Sequence, residues 1–231
     1  MTVELIVVDD ADAAADRVGQ LLAEAAREGG HISLSGGRSP ERAHVTAARL
    51  QPDWSRAELW WGDERCVPPD DERSNFGMAS RTLLANLEVP PPAIHRIRGE
   101  IEPEAAAAEY DAALRGVRIR LNLLGLGPDG HSASLFPNAP GLRERERLAI
   151  AAEPGLEPKV LRVTMTPPMI ENADLVLFLV TGADKAEAAA RAFTGPESLE
   201  TPASMIRSRG GRTLAVLDRP AATRIASSPY M

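Results

Sequence analysis

The sequence predicts an α/β protein: a doubly wound, mostly parallel sheet with helices on both faces. Two patterns carry that expectation. Short apolar runs alternate with alanine-rich amphipathic stretches, and several of those runs end in glycine-bearing turns that open a helix or loop. Parallel neighbours need crossover connections, usually helices, so both faces of such a sheet are covered. A chain of 231 residues with 44% hydrophobic positions can bury a substantial core, and without a compositional break residues 1–231 read as one α/β domain.

The elements follow in order. Leu5 to Val8 reads as a strand, and Asp10 to Arg27 as a helix with Val18, Leu21, Leu22 and Ala25 on one face. Further strands are expected at His31 to Ser35, Glu58 to Gly62, Ile119 to Leu124, Leu148 to Ala152, Arg162 to Thr166, Leu175 to Thr181 and Thr213 to Leu217. Helices are expected at Pro40 to Leu50, Asn75 to Leu87, Glu104 to Leu114 and Ala183 to Phe193. Proline- and glycine-rich stretches at Val89 to Ala93, Pro137 to Leu142 and Thr194 to Pro202 read as loops. Open sheets of this kind bind ligands beyond the carboxyl ends of their strands, so the strand exits are where chemistry is sought.

Composition excludes several functions. A formal net charge of -7 repels nucleic-acid phosphates, and no basic helix or aromatic-basic stripe offsets it. No apolar run reaches membrane-span length, and Met1 to Asp10 lacks a secretory signal, so a cytoplasmic protein is expected. One cysteine, Cys66, rules out an intramolecular disulfide and reads as structural. His31, His44, His95 and His131 are scattered without metal-ligand spacing, so no metal site is expected. Only Lys159 and Lys185 among 26 basic residues are lysines, so both stand out against arginine.

Four strand exits hold the candidate chemistry. After Ile119 to Leu124 comes Gly125-Leu126-Gly127-Pro128-Asp129-Gly130-His131, which delivers a histidine into a glycine-rich turn. Read alone, His131 is either an acid-base group or a surface histidine in a strand-ending turn. Ser35-Gly36-Gly37-Arg38-Ser39-Pro40 can present backbone N–H groups at a helix N-terminus, an anion-attracting arrangement. Arg38 there opposes the helix dipole, which favours an anion or carboxylate beside it. Lys185 repeats the anomaly after Thr181-Gly182-Ala183-Asp184, with a surface pair to Asp184 as the plain alternative. Gly62-Asp63-Glu64-Arg65 brings two carboxylates and an arginine to a fourth exit, with Ser74 as a helix cap beside Asn75. Arg162 precedes Val163-Thr164-Met165-Thr166 as a further cation.

Taken together, Ser35 to Pro40, Gly62 to Arg65, Ser74-Asn75, Gly127 to Pro137, Arg162 to Pro168 and Gly182 to Ala186 resemble the glucosamine-6-phosphate deaminase/6-phosphogluconolactonase family, on its lactonase side. The resemblance implies hydrolysis of 6-phosphogluconolactone in the oxidative pentose phosphate pathway, no metal or organic cofactor, and a sugar-phosphate lactone as the partner, with no nucleic acid, membrane or obligate protein. It implies His131 as general base, with Asp63 orienting it or a water and Arg65 stabilising an oxyanion. Ser35, Gly36, Gly37, Arg38, Ser39, Asn75, Gly127, Asp129, Gly130, Arg162 and Lys185 are the expected substrate-binding set, with Arg38, Arg162 and Lys185 as phosphate anchors. Arg38 and Ser39 depart from the serine and threonine often found there. Two rivals remain. A deaminase would carry a glutamate where this chain has Phe136, and a sugar-phosphate sensor would need no base and would be expected to carry a DNA-binding extension before the first strand.

Overall fold

A computed structural model describes residues 2–225. In chain order the elements are β1 (Glu4–Val8), α1 (Ala11–Glu28), β2 (Gly30–Leu34), α2 (Arg38–Leu50), β3 (Ala57–Trp61), β4 (Asp63–Arg65), α3 (Asn75–Thr82) and β5 (Ala93–Ile94). They continue with α4 (Pro103–Leu114), β6 (Ile119–Gly125), β7 (Ala149–Ala152), β8 (Arg162–Met165), α5 (Pro167–Glu171), β9 (Ala173–Val180), α6 (Ala186–Thr194), β10 (Arg212–Asp218) and α7 (Arg219–Ala222).

Seven strands form a sheet in the order β1-β10-β9-β6-β2-β3-β5, and every neighbouring pair is parallel. From β2 the chain winds one way, through α2 to β3 and β5; from β6 it winds the other way, to β9 and then through α6 to β10. The right-handed crossover rule therefore puts α1 and α2, which pack on each other, on one face and α4 and α6 on the opposite one. β2 and β6 are hydrogen-bonded neighbours whose exits diverge, so the sheet has its topological switch point between them. That is where an open α/β sheet forms a crevice. The core beneath it joins Ile32 and Leu34 of β2, Leu121 and Leu123 of β6, and Val176 to Phe178 of β9 with Val18 and Leu22 of α1.

Beyond β4, β5, α5 and α7, short elements that the sequence reading did not assign, three features depart from it. β7 and β8 are strands, but they join β4 in a separate antiparallel sheet, order β4-β8-β7. The expected helix from Asn75 is α-helical only to Thr82, and a 3-10 turn at Leu84–Asn86 completes it. The helix expected from Ala183 likewise opens with a 3-10 turn, Ala183–Lys185, before α6. Among the described residues no helix is long and apolar enough to cross a membrane.

Candidate active site

A crevice of about 210 Å³ opens at the switch point, lined by Ser35 and Gly36 beyond β2, Asp63 and Arg65 of β4, Asn75 of α3, Gly125 to Pro128, His131 and Ala133 beyond β6, Arg162 of β8, and Lys185. The small antiparallel sheet is what brings Arg65 and Arg162 into it. Its register sets Asp63 opposite Thr164 and Arg65 opposite Arg162. Cross-strand partners share a face, so one carboxylate and two guanidinium groups project together.

The turn after β6 builds the base. Gly130 donates its N–H to the Gly127 carbonyl and Gly127 donates to the His131 carbonyl, 3.0 and 2.9 Å, while Gly130 takes φ +91°. A side chain at Gly127 would overlap the His131 ring, so the glycine lets the imidazole fold back over the turn. His131 Nδ1 lies 2.6 Å from Asp129 Oδ1. The carboxylate accepts from Nδ1–H, which leaves Nε2 with a free lone pair. Burial works against the Asp129 charge, but the hydrogen bond and charge of His131 outweigh it and hold this carboxyl below its ordinary pKa.

The opposite wall is organised by two buried acids. Glu64 accepts backbone N–H bonds from Arg65, Asn75 and Phe76 at 2.8, 2.7 and 2.8 Å and a hydroxyl bond from Ser74 at 3.1 Å. It thereby ties β4 to the start of α3, where Ser74 caps the Gly77 N–H as its sequence position suggests. Burial pushes the Glu64 carboxyl up from its ordinary pKa against those bonds. Asp63 accepts from the Ser134 hydroxyl at 2.5 Å and from Asn75 Nδ2 at 3.2 Å, with Arg162 Nη1 at 4.0 Å. Arg162 is 4% exposed, and its Nη2 donates to the Leu156 and Pro158 carbonyls at 3.4 and 3.2 Å. Burial lowers its pKa, Asp63 works the other way, and Arg65 adds to the burial effect.

Among the described residues, the buried Nε atoms of Arg65 and Arg162 and the buried Oδ1 of Asn75 have no hydrogen-bond partner. An unpaired buried polar group costs about 1–3 kcal/mol, so these atoms mark side chains around the crevice that are held at a cost.

A family model described as glucosamine-6-phosphate isomerases/6-phosphogluconolactonase matches residues 9–215. The chain belongs to this family. It is 37% identical over 227 residues to the 6-phosphogluconolactonase of Streptomyces coelicolor, covering 90% of this chain and 87% of that protein. It is 38% identical over 200 residues to the 6-phosphogluconolactonase of Haemophilus influenzae, covering 83% and 85%. The solved 6-phosphogluconolactonase of Thermotoga maritima superposes with a TM-score of 0.83 at 26% identity, covering 94% of this chain and all of that one. The family read from the motifs and the α/β fold expected with it are both met.

Within this family member the crevice redistributes several expected roles. The partner at His131 Nδ1 is Asp129, two residues away, where Asp63 was expected to orient the imidazole or a water; Asp63 is engaged by Ser134 and Asn75. Asp129, expected to contact substrate, places its Oδ1 against His131. Arg38 does not line the crevice: α2 begins at Arg38 rather than Pro40, which leaves this side chain exposed on the first turn. The Ser39 hydroxyl is 2.6 Å from that of Thr181, joining the first turn of α2 to the exit of β9. Gly37, N-cap of α2 with φ +107°, gives that helix no side-chain cap, so its first N–H groups keep no local acceptor from it. Lys185 lines the crevice, with Asp184 Oδ2 at 3.2 Å. Sequence reasoning missed Ser134 and Thr181, although each lies in a stretch it singled out. Cys66 stays structural, since burial and then Glu64 and Glu102 push its thiol up to about 11.

Proposed function

We propose that the chain hydrolyses 6-phosphogluconolactone to 6-phosphogluconate, with His131 as the general base. The observation that carries this reading is the Asp129–His131 pair on the same crevice as Arg65, Arg162 and Lys185. Water held at Nε2 loses a proton to the imidazole as its oxygen bonds to the lactone carbonyl carbon. The imidazolium, stabilised by Asp129, returns that proton to the ring oxygen as the carbon–oxygen bond of the ring breaks. One residue serves both half-steps, and neither a covalent intermediate nor a second acid is needed.

The cations divide the remaining work. Charge developing on the carbonyl oxygen needs a prepositioned donor, and Arg65, which lines the crevice, supplies one. Lys185, Arg162 and the N–H groups at the start of α2 hold the phosphate. Binding energy from that remote group is then used to align the lactone carbonyl with Nε2. Ser35, Gly36, Asn75 and Gly127 shape the walls between the two ends.

The test is turnover of freshly generated 6-phosphogluconolactone beside glucosamine 6-phosphate, with spontaneous hydrolysis subtracted. The lactone is expected to be consumed and the amino sugar left intact, and His131→Ala is expected to lose at least about 10²-fold in kcat while keeping its fold. Full turnover by the purified His131→Ala protein would remove the imidazole from the mechanism. Lys185→Ala is expected chiefly to raise KM and to flatten the preference for the phosphorylated lactone over its unphosphorylated analogue.

A further inference from the structure

Phe136 touches both halves of the crevice without lining it. The ring is 5% exposed, and its centroid lies 4.7 Å from that of His131 at an interplanar angle of 41°. The guanidinium carbon of Arg162 stands 5.6 Å over the same ring. From outside, the backbone of Gly155 presses against the ring so closely that a side chain at that position would overlap it. The same passage of chain supplies the Leu156 and Pro158 carbonyls that hold Arg162 Nη2.

Resting on the lactonase reading above, we propose that Phe136 is a positioning residue that couples the base to the anion-binding arginine. One rigid ring braces the imidazole and the buried guanidinium, so a single side chain sets the separation between proton-accepting Nε2 and Arg162. Geometry explains why an aromatic suits the position. Arg162 is deeply buried with only a distant carboxylate, 4.0 Å away, to offset its charge. The negative face of a benzene ring stabilises a cation, and more so when water is excluded. An aliphatic side chain of similar bulk would fill the space and withdraw that stabilisation. The imidazole, which becomes cationic during the reaction, leans on the same ring, so displacing the ring disturbs both ends of the substrate at once.

The experiment is a set of double-mutant cycles on kcat and KM, run well below each variant's melting temperature. Phe136→Leu is expected to lower kcat about 10-fold and to raise KM several-fold, whereas Phe136→Tyr, which keeps the ring, stays within about 3-fold of the parent. Arg162→Lys is expected to cost at least about 3-fold less in kcat/KM on the Phe136→Leu background than on the parent, because contacting residues are not additive. Lys185→Ala is expected to cost the same on both backgrounds. A residue that merely filled the core would lower Tm and leave these ratios unchanged. The proposal is overturned if Phe136→Leu keeps parental kcat and KM, if Tyr and Leu lose activity equally, or if Arg162→Lys costs the same in both settings. Should the Leu variant fail to fold, Phe136→Met carries the same comparisons. Failure of the parent protein to consume 6-phosphogluconolactone would instead remove the lactonase reading beneath the proposal, which separates the two failures.

Discussion

Arg65 and Arg162 stand opposite each other across the β4–β8 pair, and the buried Nε of each is without a partner. Like charges placed directly opposite are destabilising, and Asp63 at 4.0 Å from Arg162 offsets only part of the repulsion. An anion between or beside the two guanidiniums relieves it. We therefore expect 6-phosphogluconate at a hundred times its Kd to stabilise the protein by about 2.7 kcal/mol, raising Tm by roughly 5–10 °C for a chain of this size. The shift should shrink as salt rises, and Arg65→Gln should lower it at equal ligand concentration. Thermal scans with and without ligand check this; an unchanged shift in Arg65→Gln would remove that residue from the anion site.

The Asp129–His131 bond makes a separate prediction about rate. With Asn at 129 the ring loses the charged acceptor that fixes Nδ1–H and stabilises the imidazolium, so kcat should fall by about 10²–10⁴-fold while KM moves little. Because Asp129 is held below its ordinary pKa, its contribution to stability is present above the unfolded carboxylate pKa and is lost as pH falls through the folded value. Steady-state rates of Asp129→Asn across pH decide the matter, and a parental kcat would show that the pair does not orient the base.

Much of this site was legible because its parts sit where strands end. Apolar runs followed by Ser35-Gly36-Gly37 and by Gly125 to His131 announce two strand exits, and β2 and β6 prove to be the neighbours at the switch point. The pattern of β7 and β8 could not reveal their sheet, since a short buried run reads alike in parallel and antiparallel pairing. β4 was hidden for the opposite reason: Asp63-Glu64-Arg65 is all charge and forms a strand only because Arg162 to Thr164 pairs with it. The true partner of His131 was also hidden, because Asp129 reaches it through a tight turn that depends on the left-handed Gly130 rather than on any helical or strand spacing. Arg38, which the dipole rule singled out, is exposed on the first turn of α2, outside the residues that line the crevice.

Gly36 offers a steric test of the wall opposite the base. A Cβ there would overlap Asn75 Oδ1, and Asn75 Nδ2 is what donates to the Asp63 carbonyl at 2.8 Å and to its carboxylate at 3.2 Å. Gly36→Ala should therefore displace Asn75 and loosen Asp63, lowering kcat/KM by about 10-fold or more and stability by about 1–3 kcal/mol. Adding Asn75→Ala removes the clash, so the double variant should regain stability over Gly36→Ala without regaining activity. Denaturant midpoints and kinetics on the three proteins check it, and strictly additive stability losses would show that the two side chains do not collide.

His44 supplies a pH test far from the chemistry. It lies on α2, fully buried, with Nδ1 3.4 Å from the Thr82 hydroxyl of α3 and Nε2 unpartnered. Burial depresses its pKa from 6.5 to about 4. Between those values the unfolded chain binds a proton that the folded protein refuses, so stability falls as pH drops through the window and is recovered as pH rises. At about 1.36 kcal/mol per pH unit, the full span is worth on the order of 3 kcal/mol. Replacing His44 by Met, which fills similar space and cannot titrate, should abolish that part of the loss and leave lactone turnover at neutral pH nearly unchanged. Urea unfolding of parent and His44→Met at pH 7 and pH 4.5 isolates the contribution, since every other titrating group is common to both proteins. Parallel losses in the two proteins would mean that His44 is reached by solvent before the chain unfolds.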